Sequence, residues 1–146
     1  MKFWHNGILT ADLDKTIDFL SAATGAPRDK WTIMEAEFPQ SEMLTGGGGK
    51  LRIGFGRVGG VVTELLQPLD DSSYHAIALK ARGPGFQHCA YICEDDQDEV
   101  ISALVNAGGR IVWDFRHEDD HACYIEASDG NAVLEIINHC PFMPEE

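Results

Sequence analysis

The chain has 146 residues, of which 44% are hydrophobic and 24% charged, and its formal net charge is −13. This length predicts one compact globular domain, or two small modules that share one core. The acidic excess argues against nucleic acid or an anionic membrane surface as a partner. No apolar stretch approaches the roughly 20 residues of a membrane span, and the N-terminal residues do not resemble a secretory signal. We therefore expect a cytoplasmic protein, with reduced thiols at Cys89, Cys93, Cys123 and Cys140.

The first half of the chain predicts a strand, a helix and three further strands. Residues 3–9 form a short strand that carries His5, and apolar residues at helical spacing then predict a helix over 12–24. Asp12 suits the N-cap of this helix, and Gly25 suits the position after its end. The remaining strands of this half are predicted at residues 31–38, 50–58 and 61–66.

The second half repeats this order after a bridge. Residues 68–83 predict a turn and a short helix that begins near Ser72 or Ser73 and ends at Gly83. A strand over 86–92, a helix over 95–107 and strands over 110–115, 122–127 and 132–137 follow. We therefore divide the chain into a first module (1–68), a link (69–84), a second module (85–140) and a tail (141–146) that we expect to be loosely held.

An internal repeat relates the two halves. Residues 3–9 align with residues 86–92, so that His5 falls on His88. Residues 61–66 align with residues 132–137, so that Glu64 falls on Glu135. Each half thus opens with a histidine on a strand and closes with a glutamate on a strand. The two-residue period of a strand gives all four side chains apolar neighbours on the same face.

These four residues predict a metal site. A carboxylate among valine, leucine and isoleucine is costly unless it is paired or bound to a metal, whereas a lone buried histidine is more often a core residue than a ligand. If the modules pair about a pseudo-twofold axis, two nitrogens and two oxygens converge at one point. Such a set suits a divalent ion of Zn, Ni, Co, Mn or Fe. The alternative is a pair of buried His–Glu salt bridges.

The paired modules resemble the vicinal oxygen chelate superfamily, which includes lactoylglutathione lyase, methylmalonyl-CoA epimerase, extradiol dioxygenases and bleomycin-resistance binding proteins. The resemblance covers residues 3–138. Within the superfamily the chain is most similar to methylmalonyl-CoA epimerase-like proteins, in the stretches ELLQPL at 64–69, GFQH at 85–88 and DGNAVLE at 129–135. Glu135 follows Asn131 by four residues, as in the epimerases, whereas Ser128 stands where the wider family has proline.

The resemblance implies an α+β fold of two paired βαβββ modules whose curved mixed sheets enclose a metal cleft. It carries metal-binding roles over to His5, Glu64, His88 and Glu135. It also implies proton transfer on a small-molecule substrate (an acyl-CoA, an oxo acid or a thiol adduct) through a metal-stabilised enolate, with Glu135 or Glu64 as one of the two catalytic groups, the base or the acid. Family members usually form homodimers, and we expect one here.

Three functions of different classes follow from this resemblance. The first is a metal-dependent isomerase of the methylmalonyl-CoA epimerase type, and the second is a lactoylglutathione lyase of the glyoxalase I type. The third is a non-catalytic binding protein of the bleomycin-resistance type, which the complete set of four candidate ligands argues against. An iron-dependent dioxygenase fits less well, because Glu64 would add a fourth ligand to the usual facial triad.

Basic residues are the candidates for holding an anionic substrate. Arginine is well suited to phosphate and carboxylate groups. We predict substrate contacts from Lys80, Arg82 and Arg116, and Arg52, Arg57 and Arg110 are further candidates of the same kind.

A dedicated second acid or base is not evident in the sequence. The charged segment 113–121 predicts a solvated hairpin, or else a lid that carries His117, His121 or Tyr124 as proton relays. Glu35 and Glu37 share one face of a predicted strand, and we expect that face to contact solvent.

Overall fold

The computed structural model describes residues 1–25, 27–130, 132–140 and 142–144. The first half of the chain contains five strands and two helices: β1 (Lys2–Leu9), α1 (Leu13–Thr24), β2 (Thr32–Phe38), β3 (Met43–Thr45), β4 (Gly49–Val58), β5 (Val61–Pro68) and α2 (Tyr74–Arg82), with α2 as the bridge. The second half consists of β6 (Gly85–Ile92), α3 (Gln97–Asn106), β7 (Arg110–His117), β8 (Asp120–Glu126) and β9 (Val133–Ile137). The predicted helices and strands are all present, and β3 is additional.

The strands form one mixed, curled sheet in the order β2-β4-β5-β1-β6-β9-β8-β7-β3. Strands β1 and β6 are antiparallel neighbours at its centre. Each of them pairs in parallel with the closing strand of its own half, β1 with β5 and β6 with β9. The predicted α+β fold of two paired βαβββ modules is therefore confirmed, while the exact module boundaries at residues 68 and 84 stay a prediction.

The two edges of the sheet are joined through a short connection. Strand β2 lies at one edge and β3 at the other, and residues 39–42, which include a 3-10 turn at Gln40–Glu42, link them. β3 pairs with β7 of the second half. Phe38 packs edge-on against Trp113 and Phe115, with centroid distances of 5.3 and 4.8 Å. The sheet thus curls around an interior space.

The helices follow their sequence signals, and α1 and α3 cover the outer face of the sheet. Asp12 caps α1 by accepting a hydrogen bond from the Lys15 amide at 3.1 Å, and Gly25 ends the helix with φ of 69°, a left-handed conformation that glycine adopts readily. Leu13 and Ile17 are completely buried in a cluster with Leu65. α3 covers a second cluster, so each half has its own core beneath one helix.

The chain end packs more firmly than we expected. Phe142 lies 5.4 Å from the ring of Phe55, and its carbonyl accepts a hydrogen bond from the Trp4 indole at 3.1 Å. Residues 142–144 therefore lie against the core. Asn131 of the DGN turn and residues 141, 145 and 146 of the predicted tail lie outside the described residues. None of the described helices is long and apolar enough to span a membrane.

Candidate metal centre

The four predicted ligands come from four adjacent strands at the centre of the sheet. His5 lies on β1, Glu64 on β5, His88 on β6 and Glu135 on β9. The strand register explains why they meet: Gly7 of β1 lies opposite both Glu64 and His88. In the same way, Ala90 of β6 lies opposite both Glu135 and His5. All four ligand side chains are buried.

The donor atoms of these side chains converge on one point. The Nε2 atoms of His5 and His88 are 3.1 Å apart. Oε2 of Glu64 lies 3.0 Å from the first nitrogen and 3.4 Å from the second. Oε2 of Glu135 lies 3.4 and 3.3 Å from them. Of the described residues, these four form a group that could hold a metal ion.

The spacing and chemistry of the donors fit a divalent cation. With bonds of about 2.1 Å to nitrogen and oxygen, neighbouring ligand atoms lie roughly 3.0–3.5 Å apart in octahedral or tetrahedral geometry. Oε2 of Glu135 is buried and lacks a well-directed hydrogen bond from the described residues. Two carboxylates and two neutral imidazoles carry two negative charges, which one divalent cation neutralises. The set therefore fits the metal that the resemblance implies.

The electrostatics show how strongly the four groups interact. Burial lowers the pKa of His5, but the opposing effect of Glu64 and Glu135 is larger and raises it to about 9. The pKa of His88 is raised by the same two carboxylates against the effect of burial. Burial would raise the pKa values of both glutamates, yet the histidines hold them below the usual range. Without a cation, the two carboxylates favour a proton on His5 at neutral pH.

The neighbours of the two histidines differ. Nδ1 of His88 donates to the side-chain oxygen of Gln87, whose amide nitrogen donates to the hydroxyl of Tyr74 at 3.4 Å. This contact places the proton on Nδ1, so Nε2 presents a lone pair to the cation. Nδ1 of His5 has no hydrogen-bond partner among the described residues. The two halves thus contribute equivalent donor atoms, but only His88 has a hydrogen-bond partner for its Nδ1 atom among the described residues.

A cavity of about 350 Å³ opens onto the two glutamates. The polar side chains in its wall, besides Glu64 and Glu135, are His75, Asp120, His121 and His139. The rest of the wall is apolar or aromatic, formed by Trp4, Met34, Phe38, Leu51, Ile53, Phe55, Leu66, Trp113, Phe115, Ala122, Tyr124, Ile137 and Phe142. The volume and the apolar lining are typical of a small-molecule site.

Sequence reasoning missed His75, which lines this cavity. The side chain is buried on α2, and its Nε2 lies 3.0 Å from the hydroxyl of Tyr124. Burial lowers the pKa of His75 to about 4, so the ring is neutral near pH 7. The Tyr124 ring in turn lies 4.9 Å from that of His88. A buried histidine on a helix without a counterpart in the repeat gave no sequence signal.

The charged segment 113–121 combines features of both predictions. β7 and β8 form a hairpin whose tip is exposed at His117 and Glu118, as the solvated-hairpin interpretation predicts. His121 instead lies inside, where it bonds to Asp114 at 2.9 Å and to Gln97 at 3.0 Å. The side-chain amide nitrogen of Gln97 donates hydrogen bonds to the backbone carbonyls of His121 and Ile136. Both ring nitrogens of His121 therefore have hydrogen-bond partners, which fix the orientation of the ring.

The predicted substrate contacts do not line the cavity at Glu64 and Glu135. Arg82 pairs with Glu126 at 2.9 Å and lines a separate cavity of about 220 Å³. Arg116 is half exposed, 3.7 Å from Asp114, and Lys80 lies on α2 outside the cavity at the two glutamates. The structure does not bring these three basic residues together with the four metal-ligand candidates, and their roles stay predictions. Glu35 and Glu37 are exposed, as expected.

Comparison with protein families now identifies the class. Residues 4–125 match the model of the glyoxalase/bleomycin resistance protein/dioxygenase superfamily, and the chain belongs to that superfamily. The resemblance predicted from the repeat is thereby confirmed. No curated protein sequence matches the chain.

Solved structures with the same fold include methylmalonyl-CoA epimerases. One from Mycobacterium tuberculosis is 26% identical over 96% of this chain and 89% of that chain, with a TM-score of 0.63. One from Streptomyces coelicolor, in complex with 2-nitronate-propionyl-CoA, is 20% identical over 94% and 96%, with a TM-score of 0.57. A hypothetical protein from Bacillus halodurans C-125 is 19% identical over 99% and 98%, with a TM-score of 0.65.

Proposed function

We propose that the protein is a metal-dependent isomerase of the epimerase type, which moves a proton on the carbon beside a substrate carbonyl. His5, Glu64, His88 and Glu135 would hold a divalent ion of Co, Zn, Ni, Mn or Fe. The observation that carries the proposal is the convergence of these donors at an apolar cavity, with atoms 3.0 to 3.4 Å apart. When bound, the cation supplies Lewis acidity that stabilises negative charge on a substrate oxygen as the proton leaves.

The two glutamates are the groups that would move the proton. Both carboxylates are buried and both face the cavity. A carboxylate within reach of the substrate carbon can accept its proton, and an epimerase also needs a donor on the opposite face. β5 and β9 flank the central strand pair on opposite sides, which puts Glu64 and Glu135 in complementary positions.

The apolar wall supports this chemistry. Trp4 and Phe55 stack with centroids 5.7 Å apart, and Trp113 lies 4.7 Å from Tyr124. Such a wall excludes water from the reacting carbon and lowers the local dielectric, which strengthens every charge interaction within the site. The substrate class that we propose is an acyl thioester or an oxo acid, since the epimerase from Streptomyces coelicolor binds 2-nitronate-propionyl-CoA.

The test is exchange of the substrate α-hydrogen with deuterated water, followed by NMR. Protein loaded with each candidate cation is incubated with acyl-CoA thioesters and 2-oxo acids, and we expect exchange above the protein-free rate. Glu135→Gln removes the proposed base and should lower the exchange rate about 10²–10⁴-fold. Glu37→Gln replaces an exposed carboxylate on β2 and serves as the matched control, with no change expected.

Absence of exchange across these substrates and cations would overturn the proposal. Turnover of the methylglyoxal–glutathione hemithioacetal without exchange on acyl thioesters would instead assign a lactoylglutathione lyase. Purified protein that retains no stoichiometric metal would favour a non-catalytic binding protein.

A further inference from the structure

The wall of the cavity at Glu64 and Glu135 is aromatic beyond what a small polar substrate requires. Trp4 and Phe55 stack on one another, and Phe142 packs on Phe55 at 5.4 Å. Trp113 and Phe115 stack with a centroid distance of 6.0 Å. These five rings all line the same cavity. Aromatic walls stabilise an apolar or aromatic ligand through burial and ring contacts.

The described wall of this cavity offers an anionic ligand few cationic partners. Among the described residues no lysine or arginine lines it. His121 is held by Asp114, and His139 lies 3.3 Å from Asp120. One divalent cation would cancel the charge of Glu64 and Glu135. No lysine or arginine in the described wall would then pair with negative charge that a ligand carries beyond the group bound to that cation. Because an unpaired charge in an apolar site is costly, the wall favours a ligand with little charge.

The volume leaves space for a ring. A cavity of about 350 Å³ lies in the range of roughly 300–1,000 Å³ that encloses small organic ligands. A ligand that consists only of two neighbouring oxygens and a methyl group would leave much of the aromatic wall without a contact. An apolar wall that a ligand leaves unfilled lacks the van der Waals contacts that a larger ligand would make.

We propose that the substrate of this site carries an aromatic or branched apolar body beside one carboxylate-and-carbonyl head. This inference rests on the proposed function, because the oxygens of the head are assigned to the cation held by the four ligand residues. The head contributes one negative charge and a pair of neighbouring oxygens. The body fills the space between Trp4, Phe55, Trp113 and Phe115.

The experiment compares two acids that share the same head. Isothermal titration calorimetry with Mn²⁺-loaded protein measures the affinity for pyruvate and for phenylpyruvate, which adds a phenyl ring. Burial of the ring should make phenylpyruvate bind roughly 10- to 100-fold more tightly. Its binding should also show a more negative heat-capacity change, the signature of apolar burial.

Variants locate the binding site. Phe115→Ser removes one ring of the wall and should lower the affinity for phenylpyruvate while the affinity for pyruvate is retained. Phe86→Ser removes an exposed phenylalanine outside this cavity and should change neither affinity.

The outcomes separate this inference from the proposed function. Equal affinities, tighter binding of pyruvate, or no binding of phenylpyruvate would overturn the inference. Deuterium exchange at C3 of both acids is followed in parallel by NMR. Tight binding of phenylpyruvate without exchange would remove the support for the proposed function and leave the inference standing. Exchange of both acids without a preference for the ring would do the reverse.

Discussion

Gln87 is the residue that most directly prepares one side of the site. Gln87 directly precedes His88 on β6, and its side-chain oxygen accepts the Nδ1 proton of that histidine. An imidazole can present only one lone pair when neutral, so this contact decides which nitrogen faces the cation. Its equivalent in the first half, Trp4, lines the cavity and cannot play the same part.

Substitution of Gln87 should therefore weaken metal binding without removing a ligand. Gln87→Leu leaves the Nδ1 proton of His88 without an acceptor, and metal affinity should fall about 10–100-fold. Gln87→Glu keeps an acceptor and should retain the affinity of the wild type. Competition titration with a chromophoric chelator measures both variants. Equal affinity of the leucine variant and the wild type would show that this contact does not orient the histidine.

Metal affinity should also depend on pH. In the metal-free site the pKa of His5 is raised to about 9, despite burial, by Glu64 and Glu135, so a cation must displace a proton at neutral pH. Apparent affinity should rise with pH and level off above about 9. Since the folded-state pKa is raised from 6.5, protonation of His5 stabilises the metal-free fold fully below pH 6.5, and that contribution is lost as the pH rises through about 9.

Chelator titrations with Mn²⁺ between pH 6 and pH 9.5 test this dependence. A flat affinity profile over that range would mean that the histidines do not carry protons in the free site. It would then argue that the carboxylates are not close enough to them in solution.

At the level of strands and helices, the repeat made most of the structure predictable. The alignment of residues 3–9 with residues 86–92 already places two histidines at equivalent positions. The register of β1 on β6 then brings these positions together across the central antiparallel pair. The ends of α1 were predictable from local sequence, because Asp12 and Gly25 cap the helix through contacts within one turn.

The elements that escaped prediction depend on contacts between distant parts of the chain. β3 has only three residues and owes its conformation to β7, about 70 positions further along the chain. His75 reaches Tyr124 only because α2 packs over the interior of the sheet. Neither feature has a counterpart in the other half, so comparison of the halves could not indicate it.

Gly7 allows the central strands to approach closely enough for the ligands to meet. An added Cβ at this position would lie on the imidazole ring of His88. Gly7→Ala should displace that ring, lower metal affinity at least tenfold and destabilise the fold by about 1–3 kcal/mol, as overpacking does. Denaturant unfolding and chelator competition measure the two effects.

Gly54→Ala is the matched control for this substitution. A Cβ on Gly54 would lie 3.5 Å from Leu13 of α1, an ordinary contact distance, and its nearest neighbours are Leu13 and Trp31 rather than a ligand. Metal affinity should remain unchanged in this variant. A similar loss of affinity in both variants would indicate a general effect on folding rather than displacement of His88.

For the whole molecule, the sequence left open whether one chain completes the site. The structure brings all four candidate ligands together within one chain. The connection from β2 to β3 also joins the two sheet edges of the same chain around the cavity. A homodimer stays a prediction, but no ligand from a second copy is needed to complete this set of four.

The central claim is that duplicated halves of one chain donate two imidazoles and two carboxylates to one divalent cation. Elemental analysis of the purified protein tests it most directly, beside the folded His5→Ala/His88→Ala variant after loading and dialysis. We expect close to one metal ion per chain in the wild type and none in the variant. Equal metal content in the two proteins, or none in a fully loaded wild type, would contradict the claim.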